Sequence, residues 1–133
     1  MKCEANVFFE DMFEAEQTGK KKKILKLFSK ADLLIIDDLF LRKRMPSDAA
    51  DYLLDIILNR YSKQKSTIIT SNRPIEDWGL LLKDNAASSA ILDRLLHHGH
   101  LLKFEGKSYR LKEAAKRLSQ KKIEEDGTTI ITS

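Results

Sequence analysis

The stretch Leu33-Leu34-Ile35-Ile36-Asp37-Asp38-Leu39 runs four branched apolar residues straight into two carboxylates, and this order restricts what the chain can fold into. The apolar run is too short for a helix and shows no alternation, so it reads as a strand buried on both faces of a parallel sheet. In open α/β sheets the ligand site lies beyond the carboxyl ends of the strands. Asp37 and Asp38 stand at that end. One carboxylate there could hold a Mg²⁺, mostly through water, while its neighbour orients an attacking water toward a phosphate. The same residues are equally compatible with a core strand whose acids merely cap the next loop.

The residues after the run support a parallel sheet. Beyond Phe40 comes a basic loop, Arg42-Lys43-Arg44, and Ser47 is placed to cap a helix. Ala50, Leu53, Leu54, Ile57, Leu58 and Tyr61 then recur at spacings of three and four, with Asp51, Asp55, Asn59 and Ser62 opposite them. Ser66-Thr67-Ile68-Ile69-Thr70-Ser71 is a second β-branched run, broken at Asn72-Arg73-Pro74, where proline has no donor for a ladder. Strand, helix and strand in that order predict a βαβ crossover, which brings Asn72 to the same sheet edge as the two acids.

Upstream, residues 6 to 17 predict a short amphipathic helix with Val7, Phe8, Met12, Phe13 and Ala15 on one side and acids on the other, ended by Gly19. Lys20, Lys21, Lys22 and Lys23, with Lys26 and Lys30, then form a basic face backed by Ile24, Leu25, Leu27 and Phe28, a second short helix. Such a face is either simply solvated or in contact with nucleic-acid phosphates. Downstream, Trp78-Gly79-Leu80 reads as an irregular link. Asp84 or Asn85 caps a helix that runs to about His98 and stops at Gly99. His100 to Phe104 predicts a third strand, Lys112 to about Glu124 a charged peripheral helix, and Thr128 to Ser133 a strand-prone tail that repeats the Thr-Ile-Ile-Thr-Ser of residues 67 to 71. His97, His98 and His100 raise the idea of a metal site, but histidines near a helix C-terminus are already favoured by its dipole.

Composition narrows the class. With 133 residues, 42% hydrophobic and 33% charged, the chain is expected to be one domain with one core, short for a complete nucleotide-hydrolysing α/β domain. A net charge of +4 leans weakly toward anionic partners. Cys3 is the only cysteine, so no internal disulfide can form, which suits a reducing cytoplasm. Neither a signal peptide nor an apolar run near the roughly 20 residues of a membrane span is found.

Taken in order, LLIIDDL, STIITSNRP, the Trp78-Gly79 link, ILDRLLHHGH and FEGKSYRLKE resemble the IstB and DnaC-like branch of AAA+ ATPases, over about residues 6 to 118. The resemblance implies an α/β P-loop NTPase fold with three layers. It makes Asp37 and Asp38 the Walker B pair, with Asp37 the Mg²⁺ residue, Asn72 the polar sensor at its strand tip and Arg94 the arginine finger that acts on a neighbour's γ-phosphate. It implies ATP and Mg²⁺ as cofactors, other copies of the chain as ring neighbours, and a transposase or replicative helicase as the protein served. Residues 6 to 30 then look like the family's helical insertion facing DNA, with Lys20 to Lys23 touching phosphates without sequence preference. Residues 31 to 105 carry the Walker B strand to the third strand, and 106 to 133 a C-terminal helix and tail.

One departure shapes the expectation. No glycine-rich Walker A loop is present: Gly19-Lys20 lacks the preceding strand, the further glycines and the following Ser or Thr. The chain is therefore expected to be the C-terminal part of an AAA+ domain, with a reduced sheet lacking two of the family's five strands and no ATP hydrolysis of its own. The alternative is a non-catalytic DNA-binding or protein-interaction module. In the family arrangement the Walker A strand lies between the Asn72 strand and the one beginning near His100. The tail is therefore expected to join an open sheet edge, in its own chain or in a second copy.

Overall fold

A computed structural model describes residues 1–42, 45–103, 116 and 128–132, and its centre is a parallel sheet of five strands in the order β1-β2-β3-β5-β4. The strands are β1 (Lys2–Glu4), β2 (Leu33–Leu39), β3 (Ser66–Ser71), β4 (Gly99–Lys103) and β5 (Thr128–Thr132). The helices are α1 (Ala5–Gln17), α2 (Lys21–Lys30), α3 (Ala49–Ser62), α4 (Trp78–Leu82) and α5 (Asn85–His97). Crossovers between parallel strands are right-handed. The steps β1 to β2, β2 to β3 and β3 to β4 all travel the same way across the sheet, which sets α1, α3 and α5 side by side on one face, α3 touching both others.

The α/β class and the parallel sheet are as expected, and the βαβ unit pairs Leu33 with Ser66 through Ile36 with Ile69. The sheet is fuller than expected at one edge, and the tail takes the first of the two positions expected for it. Lys2–Glu4 adds an edge strand beside β2, pairing Cys3 with Ile36 and Glu4 with Asp37. Three residues are too few for any periodicity to show. The tail enters between β3 and β4, pairing Ile69 with Ile130 on one side and Leu101 with Ile130 on the other. It thus closes the gap between those two strands within its own chain.

Phase differs from expectation in α1. Its buried residues are Ala5, Phe8, Phe9, Met12 and Ala15, whereas Val7 and Phe13 are 44% and 51% exposed. A helix that starts immediately after a strand takes its rotation from that strand, and here this turns Phe9 inward. Phe8, Phe9 and Met12, each stabilising by about 1.5–3 kcal/mol on burial, hold α1 to the sheet in place of a side-chain N-cap, which Glu4 does not provide. Of the segment 6 to 30, α1 thus belongs to the core, while α2 rests on α1 and α3 and sends Phe28 into that core.

In α3 the burial wraps further round than one stripe. Tyr52, Ile56 and Arg60 are buried, and Leu58 is 37% exposed, because α2 and α5 cover α3 on both flanks. Its N-cap is Asp48 rather than Ser47. Trp78-Gly79-Leu80 is helical, opening α4 after a 3₁₀ turn at Ile75–Asp77. Asp84 caps α5 as expected, its Oδ1 accepting from the Ala87 N–H at 2.9 Å. Lys43 and Arg44, Phe104, and the helix expected from Lys112 to Glu124 lie outside the described residues, apart from Lys116.

Candidate functional site

The carboxyl edge of β2 is irregular in a specific way. Its register with β3 holds to Ile36 and shifts before Leu39. Asp38 takes φ +58° and Phe40 φ +67°, left-handed values unusual for residues other than glycine. Each costs on the order of 1–2 kcal/mol, and both persist because their surroundings fix them. The Asp38 N–H donates to Thr70 Oγ1 at 2.9 Å, and the Thr70 hydroxyl in turn donates to Asp37 Oδ1. The Ser71 hydroxyl donates to the Leu39 carbonyl at 2.8 Å and accepts the Arg73 N–H at 3.0 Å. The Phe40 ring is buried edge-on against Trp78, centroids 5.5 Å apart, and the Trp78 indole N–H points at the Arg73 carbonyl.

This stitching turns the two acids outward at the sheet edge. Asp37 is partly exposed, with Lys2 Nζ of β1 3.9 Å from its Oδ2, and Asp38 is exposed. Asn72 is the first residue beyond β3 and is exposed at the same edge. Asp37, Asp38 and Asn72, expected at one sheet edge, stand at that edge. A hollow of about 390 Å³ opens beside them between the start of α1 and the segment after β2, lined by Phe9, Phe13, Met45 and Pro46 with Asn6, Glu10 and Arg42. Neither acid lines it.

The donors at this edge are all oxygens, the type that Mg²⁺ prefers. Among the described residues no group of three or more His, Cys, Asp or Glu side chains is assembled to hold a metal. Asp37 and Asp38 could therefore supply only part of a coordination shell, which fits an ion that keeps several waters and takes its remaining ligands from phosphate oxygens.

Arg94 stands apart from this edge. It lies one turn before the end of α5, which leads into the start of β4, and its guanidinium sits over the Tyr61 ring at 5.4 Å in the last turn of α3, just ahead of β3. Both strand starts belong to the amino edge of the sheet, opposite the acids. His97 and His98 stack on one another at 4.2 Å, and the Tyr61 hydroxyl meets His97 Nδ1. His100 is on β4.

The four lysines do not share one environment. Lys20, Lys22 and Lys23 are exposed, but Lys21 is tied down: its Nζ lies 3.2 Å from Asp55 Oδ2 and 5.8 Å over the Tyr52 ring. Two side chains that matter to this region do not stand out in the sequence. Thr70 reads as an ordinary strand former, though a hydroxyl pair directly before Asn72 and opposite the acids is a usable signal. Arg60 is buried in phase with Leu53, Ile56 and Ile57 and holds the end of α2 to the start of β3. It donates from Nη1 to the Phe28 and Ala31 carbonyls at 2.6 and 2.8 Å, from Nη2 to the Ser66 carbonyl at 2.6 Å, and from Nε to Thr67 Oγ1 at 2.9 Å. Burial pushes its pKa down to about 10, so it is still charged at neutral pH.

Comparison with known proteins places these features among related chains. Residues 3–117 match the family described as IstB-like ATP binding protein. Similar proteins include the insertion sequence IS5376 putative ATP-binding protein of Geobacillus stearothermophilus, 42% identical over 81% of this chain and 41% of its own length. The insertion sequence IS21 putative ATP-binding protein of Pseudomonas aeruginosa is 38% identical over 79% of this chain and 39% of its own length. A third, from insertion sequence IS232 of Bacillus thuringiensis subsp. berliner, is 34% identical over 84% of this chain and 47% of its own length. The chain thus spans less than half the length of these relatives.

Proposed function

Because this chain belongs to the IstB-like ATP-binding protein family, we propose that it carries the acid and sensor side of the nucleotide site of a DNA-dependent ATPase that assists transposition. The observation that carries this reading is the convergence of Asp37, Asp38 and Asn72 at the carboxyl edge, on a β2 terminus that strays from regular geometry to present the acids. As a Walker B pair, Asp37 would hold Mg²⁺ through water, Asp38 would orient the attacking water, and Asn72 would report on the γ-phosphate. Bound there, the ion supplies neutralisation of phosphate charge.

Arg94, on the opposite edge, is badly placed for its own acids, which favours action in trans in an oligomer over action within the chain. The exposed Lys20, Lys22 and Lys23 would contact DNA phosphates, with Lys21 positioning α2 against α3. The relatives' names place them in insertion sequences, which favours a transposase over a replicative helicase as the protein served. Among the described residues no helix is long and apolar enough to cross a membrane.

The second reading, a non-catalytic DNA or protein-binding module, is favoured by one observation. β5 fills the position between β3 and β4 that the family resemblance gives to the Walker A strand. Titration with a fluorescent ATP analogue separates the two. The first reading expects Mg²⁺-dependent binding that Asp37→Ala with Asp38→Ala abolishes, and turnover by this chain no faster than in that double variant. Absence of binding would leave the module.

A further inference from the structure

We propose that Thr70 is the positioning residue for the acid pair, holding Asp37 and Asp38 in the geometry that receives a divalent cation. This rests on the reading of those acids as a metal-nucleotide site and adds a residue that neither the motif nor the comparisons assign. The register shift after Ile36 leaves Asp37 and Asp38 out of the β2-β3 ladder, which resumes only at Leu39 with Ser71, so backbone groups at this break need other partners. β3 supplies them from two consecutive side chains. Ser71 Oγ takes the Leu39 carbonyl, and Thr70 Oγ1 takes the Asp38 N–H at 2.9 Å.

The Thr70 hydroxyl has one proton, and it is committed to Asp37 Oδ1. One atom therefore fixes both the left-handed backbone of Asp38 and the rotation of the Asp37 carboxylate, leaving Oδ2 toward Lys2 and the open edge. A serine could make both bonds; valine, equal in shape, could make neither. Partners that orient a metal-binding carboxylate are worth about 10–100-fold in metal affinity.

The test uses Mn²⁺ alone as the probe, followed by paramagnetic broadening of backbone amide signals of the full chain. In the unaltered chain, broadening should centre on Asp37 and Asp38. Thr70→Val should weaken Mn²⁺ affinity at least tenfold and speed hydrogen exchange of the Asp38 amide, with Thr70→Ser restoring both to within about threefold. Thr70→Ala gives a second measure if the valine variant melts early, and it should behave as valine does. Asp37→Asn separates the two ideas. If it abolishes broadening while both Thr70→Val and Thr70→Ala bind as the unaltered chain does, the positioning role is overturned and the site stands. If Asp37→Asn leaves broadening unchanged, the site reading itself fails and the positioning role with it.

Discussion

Replacing Arg60 by Met keeps most of the apolar stem and removes four hydrogen bonds from a side chain that is 1% exposed. Two of the abandoned acceptors, the Phe28 carbonyl and Thr67 Oγ1, are buried, and each unsatisfied buried acceptor costs about 1–3 kcal/mol. The Ala31 and Ser66 carbonyls are only part-buried and can take water instead. Against this stands relief from burying a cation, which is why the net loss should fall short of the full sum. The expected destabilisation is about 2–4 kcal/mol, a fall in Tm of roughly 6–15 °C for a domain of this size. Calorimetry or circular dichroism melting reads it directly. Adding Thr67→Val to Arg60→Met should recover about 1 kcal/mol, since removing both partners leaves one fewer orphan. A fall in Tm under 2 °C, or no recovery in the double variant, would refute the argument that Arg60 clamps α2 to β3.

Replacing Lys20, Lys22 and Lys23 by Ala should flatten the salt dependence of DNA binding by about one unit of slope for each phosphate no longer neutralised. Lys21→Ala should instead lower Tm slightly, by the ~0.2–1 kcal/mol of an exposed pair. Unchanged binding in the triple variant would move the DNA-facing surface to Arg42 and its basic loop. Deleting residues 127–133 should uncover facing edges of β3 and β4. At roughly 0.5–1.5 kcal/mol per ladder hydrogen bond, this should consume much of the ~5–15 kcal/mol available to a typical domain. An unaltered Tm and mass in light scattering would show that the strand adds nothing.

Legibility in the sequence depended on pattern length. The unbroken apolar run into Asp37-Asp38, the β-branched run into Asn72 and the periodic helix between them each carry enough residues to declare a period, so the βαβ unit and the shared edge were legible. β1 was not, since three residues carry no period and its partner strand is 33 positions further along the chain. The tail's β-branched composition announced a strand, but its place between β3 and β4 is a topological fact that local pattern does not encode. Thr70 and Arg60 escaped for a common reason: each is unremarkable by type, and its role arises only where another element abandons regular hydrogen bonding or ends beside it. In α3 the expected stripe ended on Tyr61, whereas the observed burial of Leu53, Ile56 and Ile57 carries Arg60 inward instead.

The proposed role of the carboxyl edge is tested most directly by adding Mn²⁺ with ATP to isotopically labelled chain and mapping which amide signals broaden. The expected result is broadening that centres on Asp37, Asp38 and Asn72 and vanishes in Asp37→Ala with Asp38→Ala. Broadening centred elsewhere, or surviving in that double variant, would contradict the assignment of this edge as a nucleotide site.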